Sequence, residues 1–219
     1  MFDYEVIVDK ENKRFIVKGP FESGALPVLI PDDDPWKKDY IDLFLHKADI
    51  ERGIEFLQCI SKDKEIVVNE ALFIAGLNNC MKCFKYSSSR KKLEKAEVFK
   101  DYEQIGLDFV EFEKMRDKHF DHDENGMLQA IAFLLLSERE DVIFAGPPSV
   151  VWNRAKLNYC LAGKKLQEIM RFIRQYLIVQ IDNVGGAIVK RYKNSSKEKL
   201  LEGTVATIEL ATYNAVRKK

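Results

Sequence analysis

The stretch Asp101-Tyr102-Glu103-Gln104-Ile105-Gly106-Leu107-Asp108-Phe109-Val110-Glu111-Phe112-Glu113-Lys114-Met115-Arg116-Asp117-Lys118-His119-Phe120 decides how this chain is read. Ile105, Phe109, Phe112 and Arg116 recur at three-to-four spacing, the period that puts side chains on one stripe of an α-helix. The expectation is a helix over about 101–120. An arginine on an otherwise core-facing stripe needs a partner, because an unpaired buried charge is costly. The chain then runs into Asp121-His122-Asp123, so that every residue from Arg116 to Asp123 except Phe120 is charged or titratable. Of the 3 histidines in the chain, His119 and His122 both stand here. Such a run is a poor way to finish a core helix and a good way to assemble a polar site.

Working outward, the flanking segments are mostly helical. From Trp36 the apolar residues Tyr40, Leu43, Phe44, Ile50, Ile54 and Leu57 keep helical spacing. A second helix is expected from about Asp63 to Tyr86, with Val67, Ala71, Ile74, Leu77, Met81 and Phe84 as its apolar face, closed by Ser87-Ser88-Ser89-Arg90-Lys91-Lys92. A long helix is expected from about Leu157 to Val184, with Gly185-Gly186 as its kink or end. A last one follows Ser195 and Glu198, which stand at capping-box spacing. Two pairs of β-type runs interrupt this pattern. Tyr4–Val8 and Phe15–Val17 flank a polar segment and predict an N-terminal hairpin; Leu128–Leu136 and Val142–Trp152 predict a second. Gly19–Pro35, with prolines at 20, 27, 31 and 35, reads as a connecting loop. The expected fold is mainly α, a helical bundle over 36–219 with an N-terminal β-hairpin and loop extension over 1–35 and a small second hairpin near 128–152.

Composition bounds the function. With 46% apolar residues the chain can bury a real core, and its formal net charge of +0 gives no global field toward nucleic acid or anionic membrane. Any polyanion site must then be a local patch. No apolar run reaches the roughly 18 residues of a membrane span, and Met1-Phe2-Asp3-Tyr4-Glu5 is acidic where a signal peptide is basic. The expectation is a cytoplasmic protein without a membrane partner, whose Cys59, Cys80, Cys83 and Cys160 are thiols.

The segment from Arg116 to Asp123 resembles the signature of HEPN proteins, an arginine, a polar residue and a histidine four to six residues after the arginine. His122 fits that histidine. The upstream run Ala71-Leu72-Phe73-Ile74-Ala75-Gly76-Leu77, followed by Cys83-Phe84 and Arg90-Lys91-Lys92-Leu93, is similar to the abortive-infection type U branch of the family. The resemblance covers roughly residues 36–195. It implies a four- to five-helix bundle that forms a homodimer, the motifs of two subunits facing one cleft. It also implies metal-independent RNA cleavage without a cofactor, using the 2′-hydroxyl of the RNA, in phage defence or in a toxin system with a cognate antitoxin. Asp121 departs from the family, which often has alanine before the histidine, and adds negative charge where a phosphate would approach.

The chemistry of such a site follows from the residues. Transesterification needs a base near the 2′-oxygen, an acid near the leaving oxygen and positive charge on the phosphorane. His122 is the candidate acid or base, Arg116 can fork two phosphate oxygens, and Asp117 can orient either. Lys118 and His119 are auxiliary contacts, and Lys85, Arg90, Lys91 and Lys92, with Lys82 and Lys95 beside them, are a candidate RNA track. On a continuing helix His119 shares the face of Arg116 and His122 does not, so the helix must loosen after about Phe120 or the arginine must come from a second subunit. The bland alternative is a non-catalytic helical interaction module in which the motif cements a dimer.

Asp121, Asp123 and Asn125, with Gly126 and Leu128, also match the opening of an EF-hand loop over 121–132. Ala132 stands where the bidentate glutamate belongs, and the segment after the loop reads as strand. Cys80 and Cys83 with His119 and His122 offer two metal-ligand pairs, but the cysteines lie in a helical pattern where they more often pack as small core residues. His46, alone near a helix end, reads as a surface or capping residue.

Overall fold

A computed structural model describes residues 5–9, 14–18, 30–119, 128–134, 138, 148–154, 157–196 and 199–200. Among them the chain is mainly helical: α1 (Lys37–Gln58), α2 (Ile66–Lys82), the short α3 (Lys95–Val98), α4 (Glu103–His119) and α5 (Tyr159–Tyr192). Strands β1 (Glu5–Asp9) and β2 (Arg14–Lys18) pair antiparallel with Ile7 opposite Ile16, and β3 (Leu128–Phe133) and β4 (Ser149–Arg154) pair antiparallel with Ile131 opposite Val151. Strand β4 begins directly after Pro148, in keeping with the missing N–H donor of proline in a ladder, and residues 142–147 of the expected strand lie outside the described residues.

The chain divides into two compact units, Met1–Tyr40 with Asn183–Lys219, and Ile41–Asp182. In the first, Asp34 organises the entry to α1. Its Oδ1 accepts the backbone N–H of Trp36 at 2.8 Å, and its Oδ2 accepts the Tyr192 hydroxyl at 2.7 Å, with Arg191 Nε at 3.5 Å. Burial pushes this carboxyl up, but the bonds from Tyr192 and Trp36 and the Arg191 charge outweigh it and hold the group below its ordinary value. Gly185-Gly186 does not end the last helix, because α5 runs on to Tyr192. A mid-helix glycine costs about 1 kcal/mol against alanine. At Gly185 that cost has a steric return, since a Cβ there would lie 3.3 Å from the Tyr40 ring. Ser196 Oγ accepts the backbone N–H of Lys199 at 3.2 Å, and Glu198 of the expected capping box lies outside the described residues.

The second unit holds the main core. Ile50, Ile54 and Leu57 of α1 meet Phe73, Leu77 and Met81 of α2, Phe109 and Phe112 of α4, and Leu166, Met170, Ile173 and Leu177 of α5. Phe84 and Phe99, from the connection between α2 and α4, stack around Phe109 with ring centroids 4.6 and 5.1 Å from it. Burying each such ring contributes about 1.5–3 kcal/mol.

The face of α2 follows its sequence at the C-terminal end, where Leu77, Met81 and, just beyond the helix, Phe84 are buried, and departs from it at the start. Val67 is 64% exposed and Ala71 also points outward, while Asn69, Phe73, Gly76 and Cys80 turn inward. Two features rotate the helix. Asn69 pins the loop before it, donating to Ser61 O at 2.8 Å and accepting Ser61 N–H at 3.2 Å. Gly76 lets α1 and α2 cross closely, since a Cβ on it would sit 2.6 Å from Leu57 Cγ and 3.1 Å from Gly53 O.

Candidate functional site

Helix α4 delivers Arg116 as its sequence predicts. Phe109, Phe112 and Arg116 share the buried stripe, and Arg116 is only 4% exposed. Its Nε donates to Asp117 Oδ1 at 2.9 Å, and its Nη2 donates to the same oxygen. Asp117, 47% exposed, also stands 3.9 Å from Lys85 Nζ. Among the described residues, a partner that a buried arginine requires is thus the next residue along.

Arg116 lines a pocket of ≈ 330 Å³ together with His46 from α1, Asn78 and Lys82 from α2, and Lys85, Tyr86, Ser87, Ser89 and Arg90 from the turn after α2. Of the described lining residues four are cations and none is a carboxylate. Asp49, beside the pocket, accepts Arg90 Nη1 at 2.7 Å and Lys82 Nζ at 3.0 Å. Ser87 and Ser89 hydroxyls lie 2.8 Å apart on the exposed rim. A ligand that exchanges for the Asp49 and Asp117 carboxylates must itself be an anion rich in acceptor oxygens, and the guanidinium forks suit a phosphate.

The turn carrying Arg90 is held by α1. Asp42 Oδ2 accepts the backbone N–H of Lys91 at 3.0 Å, and His46 Nε2 lies 2.7 Å from the carbonyl oxygen of the same residue. Because a carbonyl only accepts, Nε2 must carry the proton, and neutral His46 presents a bare lone pair at Nδ1. That Nδ1 is buried and has no hydrogen-bond partner among the described residues. Burial holds the imidazole below its ordinary pKa and the Arg90 cation adds to this, against the opposing bond to Lys91 and the Asp42 and Asp49 charges.

The sequence-derived site residues separate accordingly. Arg116, Asp117, Lys85 and Arg90 come together, joined by Lys82. Lys91 and Lys92 are exposed and outside the pocket, with Lys92 3.3 Å from Glu94, so their candidate role in the track is not supported by shared geometry. Lys95 is drawn to Glu113 at 2.6 Å. Lys118 is exposed, and His119 is the last residue of α4. His122, Asp121, Asp123 and Asn125 lie outside the described residues.

His46 and Asp42 were missed in the sequence. His46 is 2% exposed rather than a surface residue. The signal available was its spacing, since Asp42, His46 and Asp49 fall on one helix face at intervals of four and three. For the EF-hand reading, Ala132 lies in β3 and not in an exiting helix. Cys80 and Cys83 are both 0% exposed, Cys83 Sγ lying 3.6 Å from Asn79 O and 3.8 Å from His46 O, so they pack as core thiols. No group of three or more metal-ligating side chains occurs among the described residues. No described helix is long and apolar enough to cross a membrane. No family model, no curated protein and no solved structure matches the chain.

Proposed function

We propose that this chain binds RNA through the pocket that Arg116 shares with Lys82, Lys85 and Arg90, one phosphate of the RNA taking the guanidinium groups that Asp117 and Asp49 hold in its absence. The observation that supports the reading is a nearly buried arginine opening into a pocket whose described lining residues include four cations and no carboxylate. The HEPN-like motif adds a catalytic proposal: His122 serves as the acid or base of a metal-independent cleavage, within a homodimer that brings two motifs to one cleft. Phage defence or a toxin system, with a cognate antitoxin, is the setting the resemblance suggests.

The test pairs binding with cleavage. Purified protein is mixed with labelled single-stranded RNA in excess chelator, wild type beside His122→Ala and a Lys82→Gln/Arg90→Gln double variant. The proposal expects the double variant to lose binding, and His122→Ala to bind but not cleave. Binding without cleavage by wild type leaves an RNA-binding protein, and no binding by wild type removes the reading altogether. The second reading, a non-catalytic helical module, draws on the clamp of Asp42 and His46 on Lys91, which orders the turn for packing alone. It expects a folded dimer that ignores RNA.

A further inference from the structure

The phosphate reading accounts for the cations of the pocket and leaves its histidine unused. His46 lines the pocket, is 2% exposed, and has an Nδ1 that meets no donor among the described residues. A buried polar atom without a partner is uncommon and costs about 1–3 kcal/mol. Its polarity is fixed by the other side of the ring. Nε2–H is committed to Lys91 O at 2.7 Å, and Lys91 is in turn held by Asp42, so the ring cannot flip without breaking a bonded turn. What remains is an acceptor that needs an O–H or N–H donor. None of the lining cations Lys82, Lys85, Arg90 and Arg116 donates to it, and each lies against Asp49 or Asp117.

Resting on the proposal that an RNA phosphate occupies this pocket, we propose that His46 Nδ1 accepts the 2′-hydroxyl of the same nucleotide, making the pocket a reader of ribose against deoxyribose. The 2′-hydroxyl is the donor that distinguishes RNA from DNA at a given phosphate. A site built around a buried acceptor rejects a ligand that lacks the matching donor, because the acceptor is then left unpaired. Nδ1 is buried. The hydroxyl therefore reaches it only as the pocket lining shifts around an entering phosphate, which couples sugar recognition to phosphate binding.

The experiment measures fluorescence anisotropy with matched single-stranded RNA, 2′-O-methyl RNA and DNA, on wild type, Arg116→Met and His46→Phe. One net hydrogen bond predicts about 2- to 12-fold tighter binding of RNA than of either analogue. His46→Phe should erase that preference, its RNA and DNA affinities becoming equal whatever the loss of the Lys91 clamp does to both. Equal binding of RNA and both analogues by wild type overturns the hydroxyl assignment alone, as does a preference that survives in folded His46→Phe. Failure of wild type to bind any strand, or binding that Arg116→Met leaves unchanged, overturns the phosphate reading and this one with it. Because His46→Phe also loses the Lys91 clamp, nitrogen NMR of the wild-type ring gives a second reading. RNA should shift the unprotonated Nδ1 resonance further than inorganic phosphate or DNA does; an equal response to all three overturns the assignment.

Discussion

Replacing Arg116 by methionine removes the guanidinium and keeps most of the aliphatic stem. In the pocket that guanidinium is 4% exposed, so it is already largely stripped of water before a phosphate arrives. A hydrogen bond to a charged group contributes about 1.5–3 kcal/mol in such a setting. At about 1.4 kcal/mol per factor of ten, Arg116→Met should weaken RNA binding about 10- to 150-fold. The fold should be little affected, since Asp117 is 47% exposed, keeps Lys85 3.9 Å away and can turn its carboxylate to water. One phosphate contact fewer should also flatten the slope of log affinity against log salt by about 0.7 for a single strand. The assay is anisotropy of labelled single-stranded RNA over a range of salt, with circular dichroism melting as the control for folding. A folded variant with unchanged affinity and unchanged salt slope would mean that Arg116 is only a packing residue tied to its neighbour, and the pocket would lose its claim on phosphate.

The buried neutral imidazole of His46 predicts acid sensitivity. Its pKa is lower folded than unfolded, so the unfolded chain binds more protons and stability rises with pH across that window. The contribution is present above about pH 6.5 and is lost as pH falls toward the folded value; a urea midpoint higher at about pH 5.5 than at about pH 7.5 would contradict this. Burial pushes the Cys83 thiol up to about 12 and Cys80 well above its ordinary value, so iodoacetamide followed by mass spectrometry should find Cys59 modified first, with Cys80 and Cys83 protected until the chain unfolds. Two glycines should answer alanine in opposite ways. Gly186→Ala meets nothing within 4 Å and should stabilise by about 0.5–1 kcal/mol, whereas Gly76→Ala drives a Cβ to 2.6 Å from Leu57 Cγ and should lose about 1–3 kcal/mol to overpacking, more than helix propensity returns; thermal melts moving the same way in both would refute the crossing geometry. Sedimentation should show twice the 25.4 kDa chain mass at micromolar concentration if two motifs share a cleft, and a clean monomer would remove that part of the proposal.

The helices were legible where a strict apolar period coincides with burial. On α4, Phe109, Phe112 and Arg116 all turn inward as their spacing requires. On α1, Ile50, Ile54 and Leu57 do the same, while Phe44, counted on the same stripe, is 45% exposed. On α2 the period finds Leu77 and Met81 but not the inward turn of Asn69 and Gly76, because periodicity weighs side chains by hydrophobicity. It gives no weight to Gly76, whose missing Cβ sets the distance to α1, or to Asn69, which turns inward for hydrogen bonds to Ser61. The end of α5 was misjudged for a related reason. A glycine pair reads as a break until the ring of Tyr40 is seen against Gly185.

The pocket shows why a site is harder to read than a helix. Its cations were visible one by one, and a run such as Lys82, Lys85, Arg90, Lys91, Lys92 and Lys95 has no internal sign of which members converge. Convergence is decided by carboxylates distant in sequence. Asp49, 41 residues before Arg90, gathers Arg90 and Lys82, and Asp117 gathers Arg116 and approaches Lys85; Lys95 is taken by Glu113 and leaves the set. The turn that aims Arg90 is fixed by Asp42 and His46 through backbone atoms of Lys91, bonds that no side-chain pattern encodes. The same pair of bonds leaves His46 with one unmatched nitrogen beside a cluster of cations. A histidine needed only as a clamp would be served equally well by an amide donor of similar reach, such as His46→Gln. If the pocket instead uses the second nitrogen, His46→Gln should melt like wild type yet lose the preference for RNA over DNA, and a variant that keeps both would assign the ring to the clamp alone.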